Sequence, residues 1–304
     1  MKKVLLILPA LVFCSTLVRA QLVQAHVGAS TAINSTFVLD QGLKADPQYV
    51  SVTDFQMAPF GFNFGVNFGK KFGLQLESIL ANYKQVYKIK DKVDQAKEIG
   101  EMGFEMKYLH LPMLLKFMNG SDKKARMNFN FGPQLSLLRS GAETLAFGPD
   151  AAGQSMAIPD IPIDPLTGEP DMSNLPVGTT FDPASGEYTL PDPFPTDPAA
   201  ADPKTLLEKG AANKLESFKN QEFHIVGGFG LDVDLSQNIY MSLNVKADYS
   251  FTDMRNGDLI DQLQGGSVSD IFGNRSNLAI GAQITVNYMF GGLRSFKKDK
   301  GGDK

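Results

Sequence analysis

Few residues in this chain have the types and spacing to do chemistry. Histidine occurs three times, at His26, His110 and His224. Each sits in a run of alternating apolar and polar residues, on the polar side of the alternation. A hydrolase would need one of these imidazoles beside a serine and a carboxylate at an accessible rim. No G-x-S-x-G element is present, and no pair of histidines has the spacing of metal ligands. The single cysteine, Cys14, falls in an apolar N-terminal stretch, so the rest of the chain has no disulfide framework and no thiolate metal site. These residues predict no catalytic site, no metal and no cofactor. A second set is charged: Glu77, Lys116, Asp232, Lys246 and Asp248 occupy the same polar faces. Acids and bases facing one another in a narrow interior can pair and offset their burial, so the expected role is a structural network and not an ion path.

The elements that carry these residues are strands. From Phe60 to Gly69 every even position is large and apolar, and every odd position is Gly or Asn. A strict period of two is a β-strand with one greasy face and one narrow polar face. Phenylalanines toward lipid and small polar groups toward a tight lumen fit a transmembrane β-barrel strand. Seven further segments alternate in the same way. In order, the eight expected strands are Val23–Ile33, Asp54–Gly69, Phe72–Tyr83, Phe104–Phe117, Arg126–Leu138, Glu222–Leu235, Ile239–Phe251 and Asn277–Phe290. Their lengths suit a tilted crossing, and the count is even, as single-chain bacterial barrels require. Short connections alternate with long ones, the asymmetry expected of periplasmic turns and outer loops. The fold class is therefore all-β, an eight-stranded antiparallel transmembrane barrel with a long extracellular insertion. A soluble eight-stranded barrel would turn the two faces inside out, and polar residues fill nearly every inward position here. Pro112 interrupts the fourth strand. A proline cannot donate to a ladder, which predicts a bulge there.

The chain start agrees. Lys2 and Lys3, then the apolar Val4–Leu17, then Val18-Arg19-Ala20 before Gln21, read as a secretory signal peptide over residues 1–20. Its removal moves the formal charge from -4 to -7, because Lys2, Lys3 and Arg19 leave. That sign argues against nucleic acid as a partner. Outer-membrane lipid is the expected one. The barrel spans 21–291, and residues 292–304 form a basic tail with Lys297, Lys298, Lys300 and Lys304, expected in the periplasm.

Between Ser140 and Gln221 lies an insert with 12 of the 17 prolines and with 13 Asp/Glu against 4 Lys. Its composition fits either an ordered surface domain that meets a partner or a mobile acidic loop. The pattern Asp164-Pro165-Leu166-Thr167-Gly168 recurs as Asp182-Pro183-Ala184-Ser185-Gly186. Proline followed by glycine suits a turn closing a hairpin with a glycine bulge. Phe181 and Tyr188 would flank that hairpin. Asp164, Gly168, Phe181, Asp182, Gly186 and Tyr188 are the candidate partner-binding residues. Ala201–Ser217 is expected to add a short helix, with Asp202 as its cap and Pro203 in its first turn.

The residues Phe72-Gly73-Leu74-Gln75-Leu76-Glu77, Tyr108-Leu109-His110-Leu111-Pro112-Met113-Leu114-Leu115-Lys116-Phe117, Phe131-Gly132-Pro133 and Tyr288-Met289-Phe290 resemble the PorT-type outer-membrane β-barrels of the Bacteroidota. That resemblance implies an integral outer-membrane barrel inserted by the barrel assembly machinery. Some members of that family are components of type IX secretion and gliding, and the resemblance implies such an assembly here. The function expected is a non-enzymatic interaction or accessory subunit of an outer-membrane assembly, for secretion, motility or nutrient uptake, that meets other outer-membrane or surface proteins. The alternative is a surface barrel that binds an external ligand or matrix through its long loop.

Overall fold

A computed structural model describes residues 23–119, 123–161, 167–197, 201–209, 217–265, 273–291 and 293. The expected signal peptide and nearly all of the basic tail lie outside the described residues. Eight long strands dominate: β1 (Val23–Asp40), β3 (Asp54–Phe68), β4 (Phe72–Lys90), β5 (Glu98–Met118), β6 (Ala125–Phe147), β11 (Gln221–Asp234), β12 (Ile239–Ser250) and β13 (Arg275–Met289). Short strands β2 (Tyr49–Val52), β7 (Ser155–Met156), β8 (Thr180–Asp182), β9 (Glu187–Thr189) and β10 (Lys204–Glu208) lie between them, with helices α1 (Gln41–Ala45) and α2 (Gly257–Gly265). No helix among the described residues is long and apolar enough to cross a membrane.

Each long strand pairs antiparallel with two others, in the order β1-β3-β4-β5-β6-β11-β12-β13 and back to β1. The ring is uneven. β3 pairs with β4 only from Gly61 to Phe68, and its register with β1 shifts between Ser30 and Ala32. Above that point Thr36 of β1 reaches past β3, and its hydroxyl bonds the Lys84 backbone of β4 at 3.1 Å.

The two faces sort as the alternation requires. Phe60, Phe62, Phe64, Phe68, Phe72, Phe117, Phe129 and Phe229 are exposed around the outside, while Asn63, Asn67, Gln75, Asn128, Asn130 and Gln283 are buried inside. Some strands approach so closely that a Cβ has no room. A methyl built on Gly132 meets the Met113 carbonyl oxygen, and one on Gly230 meets that of Leu243. Glycine on the inner face is therefore a packing requirement.

β4, β5 and β6 have 19, 21 and 23 residues. A tilted crossing needs only about 9–11. The surplus rises at the long-loop end, where outward positions become charged at Lys84, Lys88, Glu101, Glu105 and Lys107. β2 extends this wall on the β4 side and β10 on the β6 side. Against it packs the insert, whose β7, β9 and β8 form a small antiparallel sheet. One apolar cluster joins wall and insert, including Tyr87, Met102, Phe104, Phe147, Met156, Ile158, Tyr188 and Leu206. We call this assembly the cap.

Three expectations need correction. β6 runs through Phe147, so the insert begins at Gly148 and not at Ser140. The helix expected over Ala201–Ser217 is instead β10 over its described part, with residues 210–216 outside the description. β11 starts only at Gln221, which leaves the upper edge of β6 open. Pairing there, with burial of Leu206 and Leu207, outweighs the capping signal of Asp202. Pro112 produces no bulge: the β4–β5 register is the same at Leu76↔Met113 and Ile79↔His110. The shift in β5–β6 falls instead between Lys107 and Tyr108.

Gly132→Val should lower stability by about 1–3 kcal/mol through overpacking. The urea midpoint of the folded barrel in detergent measures it. Gly257→Ala, where nothing lies within 4 Å of the new methyl, should leave the midpoint unchanged.

Candidate functional site: a filled lumen beneath a latched cap

The interior is crossed by layers of paired polar groups. At the short-turn end the chain turns back at Gly291, where φ is 81°, and buries Leu293 against Tyr240 and Met289. The Leu293 amide donates to the Gln237 carbonyl at 2.6 Å. Next comes Lys116, whose ammonium lies 2.8 Å from Asp232 and 5.5 Å from the Tyr240 ring centroid. Asn128 and Ser242 also donate to that Asp232, and Arg126 pairs with Asp234 at 2.5 Å. Above them Lys246 meets Glu77 at 2.7 Å, and Glu77 also accepts from Gln75 at 2.6 Å. The two described lumen cavities measure about 30 and 50 Å³, room for a few waters and no more. Of the five charged residues expected inside, four form two direct pairs: Lys116 with Asp232, and Lys246 with Glu77.

Asp248, the fifth, belongs to a different layer. It accepts from Tyr83 at 2.5 Å and lies 3.0 Å from His224 Nδ1. His224 stands 3.6 Å from Glu222, which also accepts from Tyr108 and Asn277. His110 is 2.8 Å from the Ser136 hydroxyl, stacks on Tyr108, and has its ring centroid 5.6 Å from that of His224. The strands thus bring together two histidines that their sequence spacing kept apart. Ser136 and both imidazoles are buried. His26 is separate, with Nε2 3.4 Å from Gln75. Among the described residues no group of three or more His, Cys, Asp or Glu is arranged to hold a metal.

Where lumen and cap meet, two buried arginines converge with four carboxylates. Arg275 binds Asp40 at 2.8 Å, Glu143 at 2.5 Å, and Asp160. Arg255 binds Asp160 at 2.7 Å and Asp253 at 2.7 Å, and donates to the Gly273 carbonyl. Arg275 and Asp40 come from the two ends of the barrel sequence, Glu143 from β6, and Asp160 from the insert. Burial pushes the Asp160 carboxyl up, but Arg275 and Arg255 outweigh it and hold it below the usual carboxylate range. The sequence reading missed this latch, because all six of its members, Asp40, Glu143, Asp160, Asp253, Arg255 and Arg275, lay in segments read as loops.

The candidate partner residues are spread out. Asp164 lies outside the described residues. Gly168 is open, with φ 73° and nothing within 4 Å of a built Cβ. Phe181 and Tyr188 pair across β8 and β9 with ring centroids 4.8 Å apart, and Tyr188 turns into the cap core. Asp182 is exposed and accepts from the Ala184 amide at 3.0 Å. Gly186, with φ 70°, closes the turn by donating to the Asp182 carbonyl at 2.8 Å. The expected glycine-closed hairpin is present. Lys92, in the β4–β5 turn, ties it down through Glu187 at 2.9 Å.

The sequence matches the family model described as an outer membrane protein beta-barrel domain over residues 20–256. The chain belongs to this family. It is an integral outer-membrane protein. Among solved structures it is similar to OprG of Pseudomonas aeruginosa, at 14% identity and TM-score 0.36, covering 88% of this chain and 95% of that one. It is also similar to the outer membrane protease OmpT of Escherichia coli, at 7% identity and TM-score 0.37, covering 89% and 98%. For the neisserial surface protein NspA the values are 8%, 0.32, 86% and 96%. No curated protein matches by sequence.

Two measurements check this arrangement. Asp160→Asn should cost about 3–5 kcal/mol, because it leaves the buried arginines under-compensated. Limited proteolysis should then cleave the cap while the barrel stays folded. Because the Asp160 carboxyl is depressed in the folded state, its stabilisation is present above the unfolded value of about 4 and is lost on acidification through the lower folded value. The Asp160 contribution to cap protection in the unmutated protein should therefore be lost as the pH falls below about 4. In the lumen, Lys116→Met alone should destabilise by about 3–5 kcal/mol, and adding Asp232→Leu should recover much of the loss. A double-mutant cycle in urea reads this directly.

Proposed function

We propose that this protein is a non-enzymatic interaction subunit of an outer-membrane assembly, with its ring of eight strands closed in the membrane and its cap outside. The observation that carries this reading is the insert: it is a folded body sharing one core with the strand wall, above a lumen filled by ion pairs. A lumen with cavities of about 30 and 50 Å³ favours no solute passage. Ser136 and His110 lie buried below the cap, which favours packing over nucleophilic attack. What the fold elaborates is its outer surface. Val93 and Val177 are almost fully exposed there. Val93 adjoins the Lys92–Glu187 tie, and Val177 precedes Gly178, which packs on Pro191. Both thus border the small cap sheet, and they offer apolar contacts a partner protein would bury. The PorT-type resemblance of Tyr108–Phe117 points to secretion or gliding machinery as the assembly. A surface barrel that holds an external ligand through the same cap is the second reading, favoured by the exposed Asp182 turn.

The test is purification of the tagged protein from its native outer membrane in mild detergent, with native sizing and mass spectrometry. A stoichiometric complex that is lost in the V93D/V177D variant, while the barrel stays folded, is the expected result. Recovery of the unmutated protein only as a lone barrel would end the subunit reading and favour the external ligand.

A further inference from the structure

The outer face of β4, β5 and β6 changes character over two rows of paired residues. The last apolar row is Leu80–Leu109–Leu137. One row higher stand Asn82, Lys107 and Arg139, and the next row begins with Lys84 opposite Glu105. The β5–β6 ladder shifts here: Lys107 faces Ser140 and Tyr108 faces Leu138, which leaves Arg139 with no residue opposite. The extra residue of a bulge re-aims side chains locally. Arg139 and Ser140 are both exposed, and Ser140, the residue after Arg139, stands opposite Lys107. Lys107 pairs with Glu105 at 2.8 Å, both about half-exposed, an arrangement worth little in water. Among the described residues neither Lys84 nor Arg139 has an ion-pair partner. The next charges along the wall are Glu208, opposite Ala142 in the row of Glu105, and Lys209, whose ammonium donates to the Leu138 carbonyl. The insert above is strongly acidic, so this cationic patch lies between an anionic cap and the hydrocarbon.

We propose that Lys84, Lys107 and Arg139 form a site for the phosphate groups of membrane lipid headgroups. The depth is set by the Leu80–Leu109–Leu137 row, because phosphates lie just beyond the hydrocarbon boundary. The chemistry fits: an arginine fork takes two phosphate oxygens at once, and lysines add point charge. The site would seat the barrel at one height and hold the wall upright beneath the cap. The inference rests on the transmembrane placement alone and not on any protein partner, so failure of one reading leaves the other standing.

The test uses the full-length protein in phosphatidylcholine vesicles, with and without bisphosphorylated lipid A. Lipid carried through purification and the thermal midpoint are measured. The unmutated protein should retain the phosphorylated lipid roughly 10- to 100-fold better than K84Q/K107Q/R139Q, at about a factor of five for each basic side chain near the surface. The variant barrel should fold with unchanged heat-modifiable mobility. Glu105→Gln, which removes the carboxylate paired with Lys107, should raise retention. Equal retention by unmutated protein and triple variant would overturn the proposal. So would an equal rise in midpoint with inorganic phosphate in place of the lipid, which would mark a site for free anion. Should the triple variant misfold, a Glu105→Gln protein with unchanged retention overturns it as well.

Discussion

Hydrocarbon offers no hydrogen bonds, so every backbone amide and carbonyl at membrane depth must find its partner within the protein. Much of this structure follows from that constraint. The ladders run from strand to strand until β13 meets β1. Eight strands make a narrow ring, with an interior just wide enough for side chains. Those side chains are polar, because the apolar ones are needed outside against lipid. Polar groups in a tight interior must then satisfy one another, and the layers Lys116–Asp232 and Lys246–Glu77 do so. Glycines such as Gly132 and Gly230 complete the same logic, removing bulk where backbones and long side chains meet.

The latch repeats the pairing rule at another level. Arg275 joins the last strand to the first through Asp40, to β6 through Glu143, and to the insert through Asp160. A buried ion cluster is a poor source of stability compared with a well-packed apolar core, but it is strict about geometry. The apolar cluster of the cap supplies the packing, and the latch fixes where the insert sits. Work is divided in the same way across the molecule. Apolar surface drives burial in the cap and insertion in the membrane, and charge specifies register and position.

The uneven part of the ring lies where these two regimes meet. β3 leaves β4 above Gly61, and Thr36 bridges β1 to the Lys84 backbone. On the other side of the wall β10 takes the edge that β11 leaves free. The upper wall is thus a sheet of different strand order from the ring below it.

The sequence alone determined the eight crossing strands and their two faces. The physical reason is local: a side chain's face depends only on its position within a period-two strand, and lipid outside with a tight lumen inside makes the two faces chemically opposite. Phe60–Gly69 shows this without any tertiary information, and so does the placing of Glu77, Lys116, Asp232 and Lys246 inside. The glycine-closed turn at Asp182–Gly186 was legible for the same reason. Tertiary structure alone decided the cap. Whether Lys204–Glu208 is helix or strand depended on an open edge of β6 about 60 residues away. Whether a proline-rich acidic insert is ordered depended on Asp160 finding Arg275 and Arg255, and on Tyr188 and Leu206 finding the wall of β4 to β6. His110 and His224, more than a hundred residues apart, share one layer only because the ring brings β5 beside β6 and β6 beside β11. Contacts of that range leave no period and no spacing in the chain, so only the folded molecule shows them.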